Sequence, residues 1–130
     1  MTKQQHIDYW TNTAEDDWES VGVLFDGKKY LQALFWAHLT LEKIAKAHWV
    51  KNNEGNIPPK THNLIMLLKQ ANVDLGEEKM FFLVNYNNFQ LSTRYPDYLN
   101  KMYKVCTKPF TENQLEQVKE IRQCLLKMLS

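Results

Sequence analysis

The densest chemistry in the chain lies in one short run, Ser92-Thr93-Arg94-Tyr95-Pro96-Asp97-Tyr98. An arginine guanidinium forks two donors onto phosphate oxygens, and the rings of Tyr95 and Tyr98 offer faces on which a base can stack. Asp97 is near enough to satisfy Arg94 internally, so the same residues also read as a self-contained ion pair. A second group, His38, Glu42 and Lys46, recurs at four-residue spacing within or beside the apolar stripe of Leu34, Leu41 and Ala45. A carboxylate in such a stripe is costly unless a cation or several donors meet it. One reading is a surface-edge ladder in which Glu42 and Lys46 form an ordinary helix pair, contributing roughly a few tenths of a kcal/mol. The other has the stripe bordering a polar cavity or a dimer interface, with Glu42 orienting a functional cation.

Other constellations are excluded by spacing. No two histidines stand four apart with a glutamate beside the first, and no Glu-x-x-His or Cys-x-x-Cys occurs, which removes helical zinc proteases, bundle di-metal centres and zinc ribbons. The glycines, Gly22, Gly27, Gly55 and Gly76, are isolated, so there is no phosphate-cradling glycine loop. No metal ligand set and no cofactor is expected. Cys106 and Cys124 read as free thiols, and His38 and His48 as packed structural histidines.

Helices must position these residues, because the apolar spacing is helical almost throughout. Ile7, Trp10, Ala14, Trp18, Val21, Leu24 and Phe25 keep mostly to steps of three and four, and Gly27 suits a left-handed cap. A second helix is predicted from about Lys28 to Asn52. It is apolar nearly all round, which marks a central helix packed on several sides. Asn52 to Thr61, with Pro58-Pro59, is a loop. Thr61 or Asn63 caps a short helix over Leu64–Ala71, and Asn72–Gly76 is a second loop. A fourth helix opens on Glu77-Glu78 and is expected to stop at Tyr95, before Pro96. Thr111 with Gln114 fits a capping box for a last helix carrying Leu115, Val118, Ile121, Leu125 and Met128. The expected fold is all-α, an up-down four-helix bundle with an additional short helix, in a single domain over residues 1–130.

Composition bounds the function. With 16 Lys+Arg against 15 Asp+Glu, the net charge of +1 gives no broad basic field for nucleic acid. The first ten residues hold no apolar run, and no stretch could span a bilayer, so the protein is expected in the cytoplasm with no membrane contact. Four Trp, six Tyr and six Phe are more rings than a minimal helical core needs. Trp10, Trp18, Phe25, Phe81, Phe82 and Phe89 follow the helical stripes and are assigned to the core. Trp36, on the less expected side of the second helix, is a candidate for packing between protomers.

Four segments together resemble the HEPN domains, the higher eukaryotes and prokaryotes nucleotide-binding domains. They are Tyr30-Leu31-Gln32-Ala33-Leu34-Phe35-Trp36-Ala37-His38 running into Leu41-Glu42-Lys43-Ile44-Ala45-Lys46-Ala47; Ile57-Pro58-Pro59-Lys60-Thr61-His62-Asn63-Leu64; Thr93-Arg94-Tyr95-Pro96-Asp97; and Lys108-Pro109-Phe110-Thr111. The resemblance implies a homodimer with a polar cleft between protomers. Many members are ribonucleases, often toxins of toxin–antitoxin pairs, and others accompany a minimal nucleotidyltransferase. The ribonucleases carry an arginine followed, after four to six residues, by a catalytic histidine. Arg94 matches the arginine, but the histidine positions hold Leu99, Asn100 and Lys101. Asn100 can hold a phosphate or a water, yet it exchanges no proton near neutral pH. The loss of proton transfer removes roughly 10² to 10⁴ in rate.

The sequence therefore points to a nucleotide- or RNA-phosphate-binding protein that does not cut. Arg94 is the phosphate ligand, Tyr95 and Tyr98 the ring or hydroxyl contacts, and Glu42 and Asp97 the residues that orient the arginine. Lys46 adds charge, Asn100 a polar contact, and His62 is read as capping and orienting its loop or as a substitute proton carrier. A metal-independent ribonuclease and a pure protein-interaction module are the alternatives.

Overall fold

The computed structural model describes residues 1–130 as six helices with no strand: α1 (Lys3–Asp26), α2 (Tyr30–Asn52), α3 (Leu64–Gln70), α4 (Glu77–Ser92), α5 (Pro96–Val105) and α6 (Lys108–Leu129). The long helices run up, down, up and down. Lys3 Nζ donates to the carbonyls of Val50 and Asn53, so α1 starts where α2 ends. The Tyr86 hydroxyl donates to the Leu34 carbonyl and Asn87 meets His38, while Thr93 and Arg94, beyond the end of α4, line a cleft with Leu31 and Phe35, so α4 runs antiparallel to α2. His48 Nε2 donates to the Leu125 carbonyl over 2.8 Å and Lys51 Nζ to the Met128 carbonyl over 3.1 Å, so α6 descends beside α2.

Helix α2 is central, as its pattern requires. Leu34, Leu41, Ile44 and Ala45 lie within one core cluster with Leu64, Leu67, Leu68, Leu83, Val118, Ile121 and Leu125. Thirteen of its residues are buried, including His38, Thr40, Glu42 and His48. The two histidines are packed and hydrogen-bonded, as expected. Trp36 is the exception among the apolar residues of α2, 36% exposed at the surface.

Local chemistry moves several boundaries. The left-handed residue after α1 is Lys28 (φ 62°), while Gly27 keeps a negative φ. The glycine that needs its freedom is Gly76 (φ 92°), at the start of α4. Asn63 caps α3, accepting from Met66 N–H. Helix α4 ends at Ser92, three residues before the expected stop. Tyr95 is extended (φ −103°, ψ 131°), as the following proline demands, but Pro96 then occupies the first turn of an unexpected helix, α5. The cap of α6 is Thr107, which accepts from Phe110 N–H, and not Thr111. Thr111 is buried inside the helix and forms no capping box. Phe81 leaves the predicted core and is 70% exposed. Cys106 and Cys124 are free thiols, and no helix is long and apolar enough to cross a membrane.

Candidate functional site

The predicted site residues fall into two groups along one face of α2. Residues 31, 35, 38, 42 and 46 succeed one another at steps of three and four, so they share that face. Glu42 lies at its middle, and its carboxylate is 3% exposed, so the surface-ladder reading is wrong. Two partners meet it: Lys46 Nζ at 3.4 Å, and His62 Nδ1, which donates to Oε1 over 2.8 Å. Lys46 also lies 5.1 Å above the Trp10 ring of α1. His62 does not cap its helix, a task performed by Asn63. Its side chain is 52% exposed and is held by Glu42.

The loop that carries His62 is fastened to α4 by one carboxamide. Asn87 Oδ1 accepts from His38 Nε2 and from Leu64 N–H, both over 3.1 Å. Its Nδ2 donates to Asn63 Oδ1 over 3.3 Å. Thr61 Oγ1 accepts from Asn63 N–H and closes the local turn. Burial holds the His38 imidazole below its ordinary value, against the opposing Asn87 hydrogen bond, and the positive charge of Arg94 adds to the lowering. His38 therefore sits as a neutral, buried divider between the two groups.

Arg94 forms the second group, at the corner where α4 gives way to α5. It faces the first turns of α2 across a cleft lined by Leu31, Phe35, Trp36, Leu99 and Tyr103. Its guanidinium is exposed and has no hydrogen bond or ion pair within the chain; the ion pairs present are Lys43–Asp17, Lys46–Glu42, His62–Glu42 and Arg122–Glu15. Neither Asp97 nor Glu42 orients it, contrary to the sequence reading. Glu42 lies seven residues beyond Phe35 along α2, about 10 Å by helical rise. Tyr95, which lines a surface cleft with Arg94, and Tyr98, four residues beyond the arginine, are 65% and 51% exposed. Asn100 and Lys101 are exposed on α5, and Lys101 Nζ lies 5.9 Å from the centre of the Tyr98 ring.

Sequence reasoning missed Asn87 and Tyr103. The Tyr103 hydroxyl accepts from Gln32 Nε2 over 3.0 Å and moors α5 to α2. No local pattern signals either, since their partners lie far away in sequence. No group of His, Cys, Asp and Glu is placed to hold a metal ion.

The family model of the HEPN domain matches residues 7–129, nearly the whole of this helical chain. The chain is a HEPN domain. Membership ties it to nucleotide- and RNA-related functions. Neither the curated proteins nor the solved structures gave a match. Leu99, Asn100 and Lys101, where the resemblance implied a histidine in ribonuclease members, lie in the first two turns of α5 in this HEPN chain.

Proposed function

We propose that this HEPN protein binds a nucleotide or RNA phosphate at Arg94 and does not cleave it. The carrying observation is the free guanidinium at the α4–α5 corner, which has no carboxylate partner in the chain and shares a surface cleft with the exposed Tyr95. A charged donor left unpaired at a surface cleft is available to an anion, and charge-assisted bonds to phosphate are about twice as strong as neutral ones. Tyr95 and Tyr98 supply stacking faces, and Asn100 a polar contact. No proton carrier stands at the position the family's ribonucleases use, so phosphate is held and not transferred.

The same reading makes the protein a single-domain cytoplasmic homodimer whose cleft lies between protomers. Trp36, at the cleft edge, packs against the second copy, and a minimal nucleotidyltransferase is the partner in a toxin–antitoxin type of pair. Titration of ATP, other nucleotides and short RNAs by calorimetry tests the site. Arg94→Ala is expected to weaken binding at least about tenfold. Unchanged affinity in that variant would overturn the assignment. RNA that shortens on incubation with the wild-type protein, and stays intact with Arg94→Ala, would favour the ribonuclease.

A further inference from the structure

Three features that nothing inside the chain accounts for meet in one groove. Gly22 stands within α1, where glycine weakens a helix, yet a methyl group there would meet nothing within 4 Å, so no close packing in the chain requires it. Glu112 and Glu116 stand one turn apart on α6, a spacing at which like charges repel, and neither belongs to an ion pair of the chain. Trp18, Phe25 and Leu115 pack against the core but stay partly uncovered. All of these residues line a cleft of about 380 Å³ between α1 and α6.

The cleft has the form of a seat for a helix. Helices α1 and α6 both pack on α2 and run antiparallel to one another, because α1 starts and α6 ends beside the last turn of α2. Trp18 to Phe25 on one wall and Glu112 to Lys119 on the other each cover two turns, about 10 Å by helical rise. Between them Gly22 leaves the α1 backbone bare, so a second backbone can approach closely. Arg122 closes the Trp18 end, lying 5.1 Å from the centre of that ring and pairing with Glu15. Lys119, three residues beyond Glu116, forms no ion pair with it and leaves both carboxylates open. Carboxylates repel phosphate, and no residue of this groove lines the clefts at Arg94, so an RNA strand does not belong here. Two carboxylates four residues apart instead match two cations four residues apart on a helix lying alongside.

We propose that the α1–α6 groove docks an amphipathic helix of a partner protein. Its apolar stripe lies on Trp18, Val21, Phe25 and Leu115, and two Lys or Arg residues four apart meet Glu112 and Glu116. The inference does not rest on the Arg94 reading. It gives the protein a second, separate surface and gives Gly22 a role, since any side chain there would take the space of the incoming helix.

The test uses a labelled amphipathic peptide of Leu and Lys, about 18 residues long so that it is helical, and its counterpart with Glu in place of Lys. Binding is followed by fluorescence anisotropy. Wild-type protein is expected to bind the Leu/Lys peptide and not the Leu/Glu peptide. Gly22→Leu should melt no lower than the wild type, because leucine favours a helix and meets open space, yet bind at least about tenfold more weakly. Glu112→Lys with Glu116→Lys should lose the Leu/Lys peptide and gain the Leu/Glu peptide. Asp16→Lys with Glu19→Lys, on the other cleft of α1 beside Trp36, should leave binding unchanged. Absence of binding, equal affinity in Gly22→Leu, or an equal loss in the Asp16 and Glu19 variant would each overturn the inference. So would self-association of the wild type, seen by sedimentation without peptide and abolished by Gly22→Leu, since the occupant would then be a second copy.

Discussion

Asn87 joins α2, α3 and α4 through two side-chain atoms. Its Oδ1 serves the His38 ring and the Leu64 amide, and its Nδ2 serves the cap residue of α3. Asn87→Leu fills the space but leaves two buried donors without an acceptor. Each unsatisfied donor costs about 1–3 kcal/mol, so a loss of about 2–4 kcal/mol is expected in urea unfolding. A loss under 1 kcal/mol would show that the clamp is dispensable. The buried histidines give a second prediction. Burial lowers the folded values of His38 and His48, so below the ordinary 6.5 the unfolded chain binds more protons than the folded one. Their contribution is complete above that value and is lost as pH falls through it toward the folded values. Melting temperature is expected to drop on acidification below about pH 6.5, and His48→Gln to flatten the slope. The cysteines also differ. Burial pushes the Cys106 thiol up to about 11, so in native protein near neutral pH a thiol reagent should modify Cys124 first and Cys106 only after unfolding. At this scale the sequence was half legible. Arg94 and Glu42 stood out by type, but the partner of Glu42 lies 20 residues away, and spacing along one helix cannot reveal it.

At the scale of elements, the misread boundaries share a cause. Proline was taken as a stop for α4, whereas its fixed φ and missing N–H equally suit the first turn of a new helix. Helix α5 has no buried residue, only the partly buried Leu99 and Met102 against the core, so no apolar run announced it. Hydrogen exchange along α5 is therefore expected to outpace that of α2, and slow exchange there in the isolated monomer would contradict this account. For α6, the cap lies at Thr107, four residues before the expected Thr111. The observed geometry predicts that Thr107→Ala costs about 1 kcal/mol, while Thr111→Val, which removes a buried hydroxyl, stays within about 0.5 kcal/mol or stabilises. The opposite order would restore the capping box at Thr111. In α1, a methyl group added at Gly22 would meet nothing within 4 Å. Gly22→Ala is expected to raise stability by about 0.5–1 kcal/mol through backbone entropy alone.

The whole molecule was the most legible level. A helix apolar on nearly all sides has few places to go, and α2 occupies the one that its pattern demanded, with α1, α3, α4 and α6 around it. The aromatic surplus was harder to place. Trp10, Trp18, Phe25, Phe82 and Phe89 pack against the core, but Phe81, one residue from Phe82, turns outward because a helical step of 100° separates them. The clamp at Asn87 also bears on time. The α1–α2 hairpin closes through three residues, whereas Asn87 must find partners 23, 24 and 49 positions away, and His48 one 77 positions away. Loop closure grows costlier with separation. The hairpin should thus form first and serve as the template on which the later helices condense. The His62 loop would acquire its shape only in the step that docks α4. In pulse-labelled refolding, the Leu64 amide should gain protection together with α4 and after the middle of α2; protection of Leu64 ahead of α4 would reverse that order.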